Sequence, residues 1–214
     1  MEIRGFAETD RAALRDLFGR AGEGAPTASL WGHRESEAAV YLDPYMDLEP
    51  GSLLLAEDGG ALVGYLTGCP DSATFPSESA RLAQALGKYW PGFRSRAAAF
   101  FARGVLDMAR AGIRGEPAPE DFTDARWPAH LHIAVAPSAR GTGAADALMH
   151  RWLDRLRLTG SPGCHLRTLV ENARAVRFFE RMGFVRHGPT PMVPGLRHEG
   201  RPLHQQTMVW SPEG

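Results

Sequence analysis

The chain has 214 residues, 43% of them hydrophobic and 23% charged, with a formal net charge of −1. That is the composition of one ordinary globular domain with room for an insert. So small a charge gives no general attraction to nucleic acid or to an anionic membrane, and no apolar run nears the roughly 20 residues that span a bilayer.

Residues 1–10 lack the apolar core of a secretion signal. Cys69 and Cys164 lie far apart and read as buried thiols of a reducing cytoplasm, not as a disulfide framework. Glu2–Phe6 reads as a first strand. Thr9 or Asp10 caps a helix with Leu14, Leu17 and Phe18 on one stripe. Residues 21–31, rich in Gly, Pro, Thr and Ser, read as a loop, and Glu35–Tyr41 as a short helix ending before Pro44. Ser52–Ala56 and Ala61–Thr67 form a hairpin through Glu57-Asp58-Gly59-Gly60. Residues 70–127 then break the rhythm. Arg81–Tyr89 and Arg94–Gly112 are helical, the second carrying Phe100, Phe101, Val105, Leu106 and Met108, and Gly115–Ala125 is a Pro- and acid-rich loop. Such an insertion is a lid, a binding wall or a packing appendage.

The stretch from Leu131 to Ala145, LHIAVAPSARGTGAA, follows. Its first half is an apolar strand stopped by Pro137. Its second half is a glycine-rich turn into a helix whose Leu148, Met149, Trp152, Leu153 and Leu156 share one face, with Gly160 as the stop. Strand, glycine turn and helix start together cradle a phosphate. Helix-start amides lack partners and sit at the positive end of the dipole, while glycine lets the backbone approach an anion. A P-loop is excluded because Ala144 and Ala145 follow Gly143, and Asp146 stands where the third glycine of a dinucleotide fingerprint belongs. Cys164–Val170 is the next strand, parallel to the first through a right-handed crossover. Asn172 caps a helix carrying Ala175, Phe178, Phe179 and Met182, and Gly183 closes it. Phe184–His187 and Leu203–Trp210 make a closing pair, with Pro-rich residues 188–202 between them.

Ile133-x-Val135-x-Pro137-x-x-Arg140-Gly141-x-Gly143-x-Ala145 resembles the acetyl-coenzyme A signature of the GNAT acetyltransferase superfamily. Glu171-Asn172-x-x-Ala175-x-x-Phe178-Phe179-Glu180-x-x-Gly183-Phe184 resembles that superfamily's second motif. The resemblance implies an α/β (α+β) GNAT fold in one domain over residues 1–214. Its mixed sheet of about seven strands is flanked by helices, with a helical insertion (70–127) before the fourth strand and an acetyl-CoA-binding core over 130–187. The two parallel strands then splay, and the pantetheine arm pairs with amides along Ile133, Ala134 and Val135. The diphosphate rests on Arg140, Gly141, Thr142, Gly143, Ala144 and Ala145. Asn172 hydrogen-bonds the arm or a water, or is a plain helix cap, and Phe178 or Phe179 packs beside it.

Acetyl transfer to an amine needs a base, because an alkylammonium has a pKa near 10. It also needs a donor for the oxyanion, for which the Val135 amide is the candidate. His130 and His132, two apart on one strand, share a face, and histidine titrates near neutrality. The pair resembles that of the arylalkylamine N-acetyltransferases with the offset to Arg140 changed by one; plain sheet positions are the alternative. No further ligands are spaced for zinc. Many members carry Tyr where Phe179 stands, so a thiolate acid must come from Tyr41, Tyr45 or water, or be absent. Tyr41-Leu42-Asp43-Pro44-Tyr45 with Leu48-Glu49-Pro50 and the helical insert looks, more loosely, like the acetyltransferase-like C-terminal domain of O-GlcNAcase. That likeness puts Asp43–Glu49 near the acceptor. The function expected is acetyl transfer from acetyl-CoA to a primary amine of a small molecule or peptide, by a monomer or homodimer. The alternative is a non-catalytic acetyl-CoA-binding module.

Overall fold

The structure, a computed structural model, describes residues 1–21, 30–93 and 95–212. Most of the loop expected over 21–31, and the expected helix start at Arg94, lie outside the described residues. Strands β1 (Glu2–Gly5), β2 (Leu53–Asp58), β3 (Ala61–Cys69), β4 (Ala129–Val135), β5 (Cys164–Leu169), β6 (Val185–His187), β7 (Met192–His198) and β8 (Arg201–Trp210) form one sheet. Its order is β1-β2-β3-β4-β5-β8-β6, with β7 also on β8. Every pairing is antiparallel except β4–β5. The helices are α1 (Arg11–Ala21), α2 (Arg34–Tyr41), α3 (Asp43–Leu48), α4 (Glu78–Tyr89), α5 (Ser95–Arg114), α6 (Ala144–Leu158) and α7 (Ala173–Arg181).

Both faces of the sheet are covered, and the period of two along each strand feeds two cores. Leu54, Ala56 and Leu66 pack with Leu131, Leu166 and the α6–α7 side chains Leu148, Trp152 and Phe179. Leu53, Leu55 and Tyr65 pack on the other face with Leu14, Leu17, Leu42 and Tyr45 from α1–α3. The approach of α6 to the sheet is close: a Cβ on Gly68 would meet the Trp152 ring at 2.5 Å.

The helix expected over Glu35–Tyr41 is α2, and it ends before Pro44 as expected. Pro44 then stands in the first turn of α3, a helix not foreseen, where proline suits an amide that lacks a partner. Two expectations are corrected. The β2–β3 turn is Gly59-Gly60 alone, both at positive φ, and Glu57 and Asp58 belong to the strand. The Pro-rich segment before β8 contains an eighth strand, β7, where about seven were expected. It is held from outside the sheet by Asp107 of α5, which accepts from the Gly195 amide at 2.9 Å and pairs with Arg197 at 2.6 Å. On α5 itself, Phe100 and Phe101 pack on Trp31, whereas Val105, Leu106 and Met108 face solvent, Val105 at 70% exposure. Among the described residues no helix is long and apolar enough to cross a membrane. Cys69 and Cys164 are free and buried.

Candidate active site

The site is organised by where β4 and β5 stop pairing. Their register contains only Ala129↔Cys164 and His130↔His165, so beyond that point the strands part. The backbone of β4 alternates its amides between its two neighbours. Ala129 N–H donates to Gly163 on the β5 side, and Ala136 N–H donates to Val63 on the β3 side. Odd positions therefore face β5; the Leu131 amide is spent on the last bridge, His130↔His165, and the amides of Ile133 and Val135 face the gap. Ala134 is a correction. It pairs with Tyr65 of β3, so its amide is turned away from the gap and its methyl packs in the α1–α3 core.

At the end of the gap the chain makes the glycine turn. Gly141 and Gly143 take φ of 84° and 89°, the left-handed region that glycine enters without strain. A Cβ at either would meet nothing within 4 Å, so the turn is open to solvent. The first intrahelical bond of α6 runs from Ala147 to Gly143, leaving the amides of Ala144, Ala145 and Asp146 with no acceptor in the helix. The Asp146 carboxylate pairs with Arg181 at 3.0 Å. Thr142 turns its hydroxyl to the Ala139 carbonyl at 2.8 Å, and Arg140 reaches the Ala21 carbonyl at 3.4 Å. Across the gap, Asn172 caps α7 by accepting from the Ala175 amide at 3.2 Å. Phe178 is half-buried beneath the Arg181 guanidinium, while Phe179 is 7% exposed and closed edge-on against Phe178 and Phe184. The residues present fit a diphosphate at the turn and an extended arm along the odd amides.

The side chains of His130 and His132 fall on the opposite face, as their spacing requires, but neither has the character expected of it. His130 Nε2 lies 2.9 Å from the Tyr45 hydroxyl and Nδ1 lies 2.7 Å from Ser72 Oγ. The Ser72 hydroxyl also reaches the Pro128 carbonyl at 2.7 Å, which can only accept. With Ser72's proton on that carbonyl, His130 is protonated at Nδ1 and accepts from Tyr45 at Nε2. His132 has no hydrogen-bond partner among the described residues; the rings of Tyr41 and Tyr45 stand edge-on to it. Burial pushes both imidazoles down, His130 well below its ordinary value and His132 to about 3, with the positive charges of Arg81 and Arg167 adding to the effect. Both are neutral at physiological pH and neither titrates near neutrality, contrary to the expectation for a base.

Tyr45, expected at the acceptor, is 0% exposed and serves His130 from beneath. The Tyr41 hydroxyl donates to Glu78 at 2.9 Å. The acids of Asp43–Glu49 are not at the site either. Asp43 pairs with Arg15, Asp47 with Arg11, and Glu49 accepts from Ser52. In their place the insert supplies the wall. A cavity of about 80 Å³ opens where β4 and β5 part, lined by His130, His132, His165, Arg167, Glu78 and Arg81, with Asp121 and Phe122 from the loop after α5. None of the residues from the insert, nor Arg167, was found by sequence reasoning. For Arg167 a signal existed, since it lies two positions from His165 and so shares a face with the paired histidines.

A family model described as the acetyltransferase (GNAT) family matches residues 12–184. Among similar solved structures is the ribosomal-protein-alanine N-acetyltransferase from Brucella melitensis, at TM-score 0.59 and 19% identity over 99% of each chain. Another is yncA from Salmonella typhimurium with its cofactor acetyl-CoA, at 0.59 and 18%, covering 98% of this chain and 92% of that one. A third is Naa20 from Chaetomium thermophilum in complex with a bisubstrate analogue, at 0.59 and 17%, covering 100% and 87%. At these identities the likeness shows the fold.

Proposed function

The chain belongs to the acetyltransferase (GNAT) family, and on that premise we propose that it moves an acetyl group from acetyl-CoA to a primary amine admitted to the histidine cavity. The observation that carries the reading is the parting of β4 from β5 beside an open glycine turn, with the Ile133 and Val135 amides facing the gap.

When bound, acetyl-CoA supplies a thioester carbonyl that an uncharged amine attacks. Gly141 through Ala145 hold the diphosphate by main-chain amides at the positive end of α6, and Arg140 adds fixed charge. The odd amides of β4 hold the arm as a sheet edge holds an added strand. One of them, that of Val135, donates to the oxyanion. Phe178 packs beside the arm, and Asn172 combines its cap with an amide NH₂ left for the arm or a water.

His132 takes the amine's proton. Its lone pair is available across the physiological range, but its low basicity makes it a weak acceptor, so the fraction of uncharged amine sets the rate. Phe179 has no proton for the leaving thiolate, Tyr45 is committed to His130 and Tyr41 to Glu78. The O-GlcNAcase-like reading of Tyr41–Pro50 rests on the sequence likeness of that segment alone.

A second reading, a non-catalytic acetyl-CoA-binding module, is favoured by the same missing acid and the weakly basic histidines. Thiol release from acetyl-CoA with a panel of amines separates the two. Acceptor-dependent thiol supports transfer, and saturable cofactor binding with none supports the module.

A further inference from the structure

The acetyl-transfer reading leaves one group of the cavity unexplained, the guanidinium of Arg81. Arg81 sits on α4 and is 5% exposed. Its Nη1 donates to the Val40 carbonyl, and its Nε is buried with no acceptor among the described residues. The group lies 5.5 Å from the Tyr45 ring centroid and 5.3 Å from that of Phe75, beside these two stacked rings. Among the described residues it enters no ion pair. The carboxylates that line the same cavity are drawn to another residue, Glu78 at 3.6 Å and Asp121 at 3.7 Å from Arg167.

A guanidinium removed from water without a counter-ion is costly, and it is normally retained only where an anion completes it. With Nη1 engaged and Nε enclosed, what Arg81 offers the cavity it lines is a single charge-assisted N–H bond to a carboxylate. The volume of about 80 Å³ holds two or three waters at about 30 Å³ each, or one small polar group. The charges are also divided. Arg81 contributes +1, while Arg167 with Glu78 and Asp121 sums to +1 − 2 = −1. The cavity thus holds both a cation that suits an anion and a surplus carboxylate that suits an ammonium.

We infer that the acceptor is a small amine of amino-acid type whose carboxylate pairs with Arg81 in this cavity. The inference rests on the acetyl-transfer reading for the fate of the amine, but the anion site is testable by itself.

The test is calorimetric titration of the full chain with glycine, β-alanine and 4-aminobutyrate beside ethylamine, propylamine and butylamine, each amine replacing a carboxylate by a methyl group. At least one amino acid is expected to bind at least tenfold more tightly than its matched amine. Arg81→Met is expected to erase that preference, and Arg81→Lys to keep part of it, with coenzyme A affinity unchanged in both. Equal binding within every pair, binding of no amino acid, or a preference that survives in Arg81→Met overturns the inference. Should Arg81→Met fail to fold, the wild-type pairs decide. Loss of coenzyme A binding with the amino-acid preference intact would instead sink the acetyl-transfer reading and leave the anion site standing.

Discussion

The two sides of β4 are built by different means. On the side that faces β5 the working groups are main-chain amides, made available by a strand that loses its neighbour and by a helix that begins on glycine. On the other face they are side chains, drawn from β4, β5, α4 and the loop after α5. The first side needs few residue identities beyond glycine. The second depends on at least six, and burial sets their charge states. A common cofactor suits the first kind of construction, and an acceptor particular to one chain suits the second.

The sharpest test of this division is Gly143→Glu. A carboxylate among the phosphate-facing amides should abolish coenzyme A binding, a loss of at least about 100-fold or about 2.7 kcal/mol. Because no atom lies within 4 Å of the added Cβ, the fold should survive, apart from about 1 kcal/mol for a side chain at positive φ. Normal affinity, measured by calorimetry beside a circular dichroism control, would refute the cradle.

On the opposite face, His132→Ala should lower turnover about 100-fold with little change in cofactor affinity. Because burial holds His132 at about 3, the wild-type kcat/KM should rise with pH as the acceptor amine loses its proton, with no step near 6.5. A step near 6.5 that disappears in His132→Ala would mean a wetter histidine and would weaken the contrast between the faces.

Tyr45→Phe should cost about 1–3 kcal/mol of stability in denaturant unfolding, since it leaves the buried Nε2 of His130 without a donor. No measurable cost would mean that Tyr45 does not fix the ring.

The smallest expected effect is on acid stability. His130, His132 and His165 all have folded values below the unfolded value of 6.5, so the unfolded chain binds their protons first. Their contribution is complete above pH 6.5 and is lost as pH falls towards about 3. His132→Phe should flatten this fall in a series of thermal melts, and an unchanged slope would contradict the depressed value.

This contrast also governs what the sequence disclosed. The cradle was legible because Pro137, Gly141 and Gly143 are local instructions to the backbone, and the strand–turn–helix they imply is what forms. The parity of His130 and His132 was legible for the same reason. Their protonation was not, because it follows from burial against Tyr41, Tyr45 and Phe75 and from the charges of Arg81 and Arg167, which no local pattern brings together. Asp43 and Asp47 were misplaced because the α1 arginines Arg15 and Arg11 claim them, and it is Glu78 and Asp121 that line the cavity. The outward turn of Val105, Leu106 and Met108 escaped because an apolar stripe shows that a helix is amphipathic without showing what it meets.

The contact of Ser72 with Pro128 has one more consequence. The amide and the hydroxyl of Ser72 both donate to the Pro128 carbonyl, and the neighbouring Cys69 and His130 are direct partners across β3 and β4. The long excursion from residue 70 to 128 therefore leaves and re-enters the sheet through one pinched neck, topologically no more than an enlarged hairpin loop. Exchanging it for another would replace Glu78, Arg81 and Asp121 in a single step, and would remove with them Asp107, the anchor of β7.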